Sequence, residues 1–375
     1  MATIAGAITT EEGEEVDDVS IFLTNTGAIP DTMMYGAYYG FYDVPTGYDY
    51  TVEPVRDDHA GTGVSTWDIV LITRHILGID PLPTPYQIIA ADANGSGSIT
   101  TLDVVYIRQV VLGLANSFPG VHTWRFVDAA HIFIDPTNPF TGPIPEVVNL
   151  DNLAADVMDV NFIGVKVGDI DHSGLVNLPV TLENRQLEMA QSMLKIEDKK
   201  LGKGDRTQIV LEWDEKDLVV AAQWSLQIDP TKLEVLEFTE SALPDFNSEQ
   251  VAGNVAEGLY SLGWYHSKAQ EVNGKSAWTI EVRALEDVVL SEAIQLADQP
   301  TKAEVYLEGG SPKVPVLSFT NATNASVLFG NNPNPFQFQT TIELEIAGET
   351  KNWTLEIYNT QGQLVYQERQ WLEAG

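Results

Sequence analysis

Two stretches of this chain, thirty-five residues apart, carry nearly the same sequence. Residues 64–78 read VSTWDIVLITRHILG and residues 99–113 read ITTLDVVYIRQVVLG, with six of fifteen aligned positions identical, among them Asp68/Asp103, Leu77/Leu112 and Gly78/Gly113. Both copies place apolar residues at helical spacing: Trp67, Val70, Leu71 and Leu77 fall on one face of the first, Val104, Ile107, Val111 and Leu114 on one face of the second. A glycine follows each periodic run, where a left-handed cap ends a helix. Pro81, Pro83 and Pro85 then separate the two units. Ahead of the second copy, residues 92–103 read DANGSGSITTLD. Side-chain oxygens fall at loop positions 1, 3, 5, 9 and 12 (Asp92, Asn94, Ser96, Thr100, Asp103), glycine at 6 and apolar Ile99 at 8, and Ser98 adds an oxygen at 7. A hard cation needs six to eight oxygens from a sharply bent loop, and this spacing supplies both. The repeat predicts structure organised by Ca2+.

The first copy is less regular. Counting back from Asp68 puts Asp57 at position 1, His59 at 3 and Gly61 at 5. Imidazole is a poor calcium ligand and glycine offers no side chain, so Asp57, His59 and Asp68 form either a weak site or a metal-free turn. A third fragment, Asp169-Ile-Asp171-His-Ser173-Gly174, imitates the opening of such a loop, but its twelfth position is Val180, which has no carboxylate. It reads as a polar turn closing the unit or as a partial site.

Net charge is −34, and residues 1–180 hold 24 acidic against 5 basic side chains. Such a chain repels nucleic acid and anionic membranes and collects cations. Most of these carboxylates read as solvated surface. There are no cysteines, which excludes disulfides, thiolate metal sites and cysteine nucleophiles. No apolar run is long enough for a membrane span, and no secretory leader opens the chain.

Around the repeat the pattern is β. Residues 3–55 alternate in the strand manner, and Gly36-Ala-Tyr-Tyr-Gly-Phe41, Val44-Pro-Thr-Gly47 and Tyr48-Asp-Tyr50-Thr-Val52 resemble the carboxypeptidase-regulatory-like, transthyretin-like sandwich. The loop–helix, linker, loop–helix arrangement of residues 57–113, with its Leu-Gly endings, resembles the type I dockerin domain, with an extension to residue 180. In dockerins, loop positions 10 and 11 help choose the protein partner; here they are Thr66 and Trp67, Thr101 and Leu102. Trp67 and Leu102 also lie on the apolar helix faces, which predicts burial within the unit. Further on, Trp224-Ser-Leu-Gln-Ile228-Asp229-Pro230-Thr-Lys-Leu233-Glu-Val235 and Gly263-Trp264-Tyr265 resemble a cohesin-like jelly roll. Asn331-Asn-Pro333-Asn334-Pro335-Phe336 and Ile357-Tyr358-Asn-Thr-Gln-Gly362-Gln-Leu364-Val365 resemble the type A sorting domain of type IX secretion, cut off at Gly375.

The expected fold is therefore mainly β and multidomain: β-sandwich or jelly-roll domains plus a small two-helix dockerin-like calcium-loop module. The expected boundaries are 1–55, 56–180, 181–325 and 326–375. No catalytic signature appears, and the six histidines are scattered. The resemblances imply a non-catalytic structural or adhesive portion of an exported cell-surface protein, secreted by the type IX route, with protein partners or self-association. The rival expectation is a carbohydrate-binding or ancillary region of a secreted glycan-degrading enzyme, with Trp264, Tyr265 and Trp278 as candidate sugar platforms, although strand alternation favours the tryptophans as sandwich core.

Overall fold

The computed structural model describes residues 1–25, 32–174, 190–239, 241–320, 327–332, 341–345, 351–358 and 364–372. Alternating apolar residues build the first strands: β1 (Ala2–Thr9), β2 (Ser20–Asn25), β3 (Thr32–Tyr35), β4 (Tyr38–Val44) and β5 (Tyr50–Val55). Three helices follow, α1 (Thr66–Ile76), α2 (Pro85–Ala91) and α3 (Thr101–Val111). The chain then returns to the first sandwich through β6 (Trp124–Asp128), β7 (Val148–Leu150) and β8 (Phe162–Lys166). Two four-stranded sheets result, ordered β4-β1-β8-β6 and β3-β2-β5-β7. β8 runs parallel to β1, with Ile8 opposite Phe162. Ile4, Ile8, Ile21, Leu23 and Tyr50 share one core with Trp124, Phe126 and Phe162. The sandwich begun by residues 1–55 is thus completed by strands from beyond the helices.

The duplicated segments form α1 and α3, each opened by a reciprocal cap. Ser65 caps α1 with Asp68 at its third residue, and Thr100 caps α3 with Asp103 in the same place. Each ends in a left-handed glycine, Gly78 at φ +66° and Gly113 at φ +70°. Leu77 and Leu114, expected on the apolar faces, are mostly exposed, because the chain has already turned away at these caps. The unit has a third helix where the prolines predicted only a separator. Pro85 stands in the first turn of α2, where its missing N–H costs nothing, and Thr84 caps it. Ile69 and Ile72 of α1 pack with Ile88 and Ile89 of α2 and Val104 and Ile107 of α3.

The second sandwich comprises β9 (Gln191–Glu197), β10 (Lys200–Leu201), β11 (Arg206–Asp214), β12 (Val219–Ile228), β13 (Leu233–Thr239), β14 (Val251–Asn254), β15 (Leu259–Gln270), β16 (Ser276–Ala284), β17 (Val288–Val289), β18 (Ile294–Ala297), β19 (Glu304–Leu307) and β20 (Pro312–Thr320). Its sheet runs β13-β16-β11-β9-β20-β19-β12-β15-β14, with β18 also on β12, and β20 joins its two halves. Trp213, Trp224, Trp264 and Trp278 fill the core between them. Trp264 and Trp278 are therefore closed to any sugar ring. Two antiparallel pairs lie beyond: β21 (Val327–Asn332) with β22 (Thr341–Glu345), and β23 (Lys351–Tyr358) with β24 (Leu364–Leu372). The Pro333-Asn334-Pro335-Phe336 motif, Val180 and the connector at 181–189 lie outside the described residues.

Candidate metal centres

Asp92 bends its loop from within. Its Oδ1 accepts the Ser96 amide at 2.9 Å and its Oδ2 accepts the Gly97 amide at 2.9 Å, while Asn94 Oδ1 also accepts from the Ser96 amide at 2.9 Å. Gly95 and Gly97 adopt φ of +66° and +75°, which glycine does without strain. Ser96 Oγ lies 3.2 Å from Ser98 Oγ, and both side chains are at the surface. At the helix end of the loop, Asp103 Oδ2 accepts from the Thr100 amide at 2.8 Å and the Thr100 hydroxyl at 3.1 Å. Asp103 Oδ1 is buried with no hydrogen-bond partner. Burial, with a smaller push from the Asp92 charge, raises the Asp103 pKa against the pull of the Thr100 hydrogen bonds and a weaker pull from the Asn94 amide. A buried carboxylate oxygen without a partner, at the end of an oxygen-bearing loop, is what a calcium ligand shows when it holds no ion. The residues fit the ion.

The other half of the repeat is assembled across the chain. Asp57 is held by the Thr123 amide and hydroxyl at 3.1 and 3.0 Å, and His59 Nδ1 accepts the Gly61 amide at 3.1 Å. Neither belongs to the group around Asp68. Asp68 instead meets the third fragment: its Oδ1 accepts from the Ile170 amide at 2.7 Å and the Asp171 amide at 3.3 Å. One carboxylate oxygen each from Asp68, Asp169 and Asp171 lies within 4.8 Å of the others.

This fragment repeats the first loop bond for bond. Asp169 Oδ1 accepts the Ser173 amide at 3.0 Å, Asp169 Oδ2 accepts the Gly174 amide at 2.9 Å, and Asp171 Oδ1 accepts the Ser173 amide at 3.0 Å. His172 takes φ +56° where the other loop has Gly95 at +66°. Asp68 Oδ2 accepts from the Ser65 amide at 2.8 Å and the Ser65 hydroxyl at 3.0 Å, as Asp103 does from Thr100. Residues 169–174 thus stand where residues 92–97 stand, and Asp68 occupies the place of Asp103. Gly63 and Gly174 abut, leaving no room for a Cβ on either, and the Ser173 hydroxyl donates to the Gly63 carbonyl at 3.1 Å.

Sequence reasoning named all three residues but did not join them. Nothing local links Asp68 to a fragment a hundred positions later; the one legible signal was that Asp169-x-Asp171-x-Ser173-Gly174 copies Asp92-x-Asn94-x-Ser96-Gly97. The electrostatics of the trio differ from those of a solvated cluster. Burial pushes Asp169 up to about 8, with Asp171 adding to it, and burial raises Asp68 well above the usual carboxylate range, with Asp171 and Asp169 adding. Among the described residues no lysine or arginine forms an ion pair with any of the three; the nearby Lys166 is committed to Asp58. Glu11, Glu12 and His172 form a neighbouring, more open group, with Glu11 bonded to the Thr84 hydroxyl at 2.7 Å.

The expected partner-contacting residues divide. Thr66 and Trp67 are buried, Trp67 against the second sandwich rather than within the helical unit. Thr101 and Leu102 are exposed, Leu102 at 47 %.

No family model matches the chain, and no curated protein matches it. Among solved structures it is similar to a chain of a type I cohesin–dockerin complex from Clostridium thermocellum, at 15% identity over 34% of this chain and 94% of that one, with a TM-score of 0.28. A type II cohesin from the Acetivibrio cellulolyticus cellulosome gives 13% identity over 34% and 92%, with a TM-score of 0.27. Type II cohesin A11 from Bacteroides cellulosolvens gives 11% over 35% and 96%, at 0.27. TM-scores of this size support no functional inference.

Proposed function

We propose that this chain is a non-catalytic, calcium-stabilised structural portion of an exported surface protein, with its two sandwiches joined by a metal-organised helical unit. The observation that carries the reading is the pair of matched carboxylate loops, one of which leaves Asp103 Oδ1 buried and unpartnered. One ion would be held by Asp92, Asn94, Ser96, Ser98, Thr100 and Asp103. A second would be held by a discontinuous set, Asp169, Asp171 and Ser173 from one segment and Asp68 from the other. A bound cation supplies the positive charge that such buried carboxylates lack. Protein binding by the second sandwich and export by the type IX route rest on the resemblances in sequence. The glycan-binding alternative loses its two tryptophan platforms to the core.

Extracellular calcium modules bind at roughly 10⁻⁴–10⁻³ M, and calcium at one hundred times its dissociation constant adds about 2.7 kcal/mol per site. Titration calorimetry is expected to count two ions, with Asp103→Ala and Asp68→Ala each leaving one. EDTA is expected to lower the melting temperature. A melting curve indifferent to EDTA would sink the reading.

A further inference from the structure

The helical unit lies on one face of the second sandwich, α1 running across β12 and β15. Trp67 stacks on Tyr306 of β19 with ring centroids 6.2 Å apart and 17° between planes. With Val70, Val220 and Ala221 they form an apolar cluster separate from both neighbouring cores. Polar bonds surround it. The Thr66 amide donates to Gln223 Oε1 at 2.7 Å, Arg74 Nε donates to the Ser267 carbonyl at 3.1 Å, and Arg108 pairs with Glu249 at 2.6 Å. The Thr301 hydroxyl donates to the Val111 carbonyl at 2.6 Å, satisfying a carbonyl that the end of α3 leaves without a helical partner. Gln223, Thr66 and Thr301 are all buried.

The seat and the metal groups share the same turn of helix. Thr66 and Trp67 are the first two residues of α1, and Asp68 is the third. Whatever fixes Asp68 against Asp169 and Asp171 fixes the backbone that carries the Thr66–Gln223 bond and the Trp67–Tyr306 stack. Without a cation the three carboxylates are no longer bridged, and the start of α1 is tied to residues 169–174 more weakly, by hydrogen bonds such as those from the Ile170 and Asp171 amides to Asp68. We infer that the helical unit is the second sandwich's own partner and that calcium is the latch: with calcium the face formed by β12, β15 and β19 is closed within the chain, and without it that face opens to solvent. The inference rests on the calcium reading and adds to it a consequence for a distant surface.

The absence of cysteine from the chain allows a direct test on the whole 375-residue chain. Val220→Cys places a lone thiol under α1, and Leu194→Cys places one in the sandwich core. Thiol-reagent labelling is followed in calcium and in EGTA, with calcium binding measured in parallel by calorimetry; Ala221→Cys replaces the first variant if it fails to fold. The expected result is labelling of Val220→Cys at least about tenfold faster in EGTA, a cost of opening lowered by ~1.4 kcal/mol, with Leu194→Cys slow in both buffers. Adding Asp68→Asn should make the Val220→Cys thiol react fast in calcium as well. Calcium binding with equal protection in both buffers overturns the latch and leaves the calcium sites standing. No calcium binding overturns both. Fast labelling of both thiols in EGTA means the sandwich itself unfolds, which also overturns the latch.

Discussion

Burial raises the pKa of Asp169 to about 8, and the neighbouring Asp171 carboxylate adds to the shift. Its folded value lies above its unfolded value, so the folded protein holds a proton that the unfolded chain releases. The resulting stability is complete below about pH 4 and is lost as pH rises through about 8. Calcium-free protein should therefore melt at a lower temperature at about pH 8.5 than at about pH 5, and saturating calcium, which keeps the carboxylate ionised throughout, should flatten that slope. Scanning calorimetry at the two pH values, with and without EGTA, checks both parts. The same shift predicts that calcium binding near neutral pH releases protons, read as a dependence of the binding heat on the ionisation enthalpy of the buffer. Equal heats in two such buffers would contradict it. Asp58 sets the opposite trend elsewhere. Burial alone would raise its pKa, but the bonds from Lys166 and Trp124 hold it low, so its contribution is present at neutral pH and lost in acid.

At the level of elements, two equivalent glycines separate backbone strain from contact. Gly78 and Gly113 end α1 and α3 in the same left-handed conformation. A Cβ at Gly78 would meet nothing, whereas one at Gly113 would collide with the Pro300 ring of the second sandwich. Gly78→Ala should cost about 1 kcal/mol, the strain of a left-handed alanine. Gly113→Ala should cost at least about 1 kcal/mol more, the scale of overpacking. Equal losses in denaturant titrations would show that Pro300 yields freely. The duplicated helices were legible in the sequence because period and terminal glycine agreed in both copies. α2 was not, since a proline that stops one helix also starts another, and only the preceding Thr84 distinguishes the two. Trp67 was read as apolar correctly, but periodicity states that a side chain is buried and not which body buries it.

For the molecule as a whole, the β12–β15–β19 face is covered by the chain's own helices and is not free to take a second copy. Light scattering in calcium should therefore report a monomer even at high concentration, aided by the repulsion of a net charge of −34. A calcium-dependent oligomer would require another surface, of which exposed Leu102 is one candidate. The β-rich character of the chain and the tryptophan core of the second sandwich followed from alternation alone. The return of β6, β7 and β8 to the first sandwich did not, because which edge a strand joins depends on partners distant in sequence. The union of Asp68 with Asp169 was hidden for the same reason.

That union changes what holds the chain together. Residues 68 and 169 lie about a hundred positions apart in a protein without a single cysteine. A covalent bridge closing a loop of that length would remove about 4.7 kcal/mol of freedom from the unfolded chain. On the proposed reading, an ion shared by both ends and bound by the folded form alone would take the place of such a bridge. Unlike sulfur, such an ion could be withdrawn by dilution and restored without chemistry, so the surroundings, through their calcium content, would set how tightly the molecule is tied.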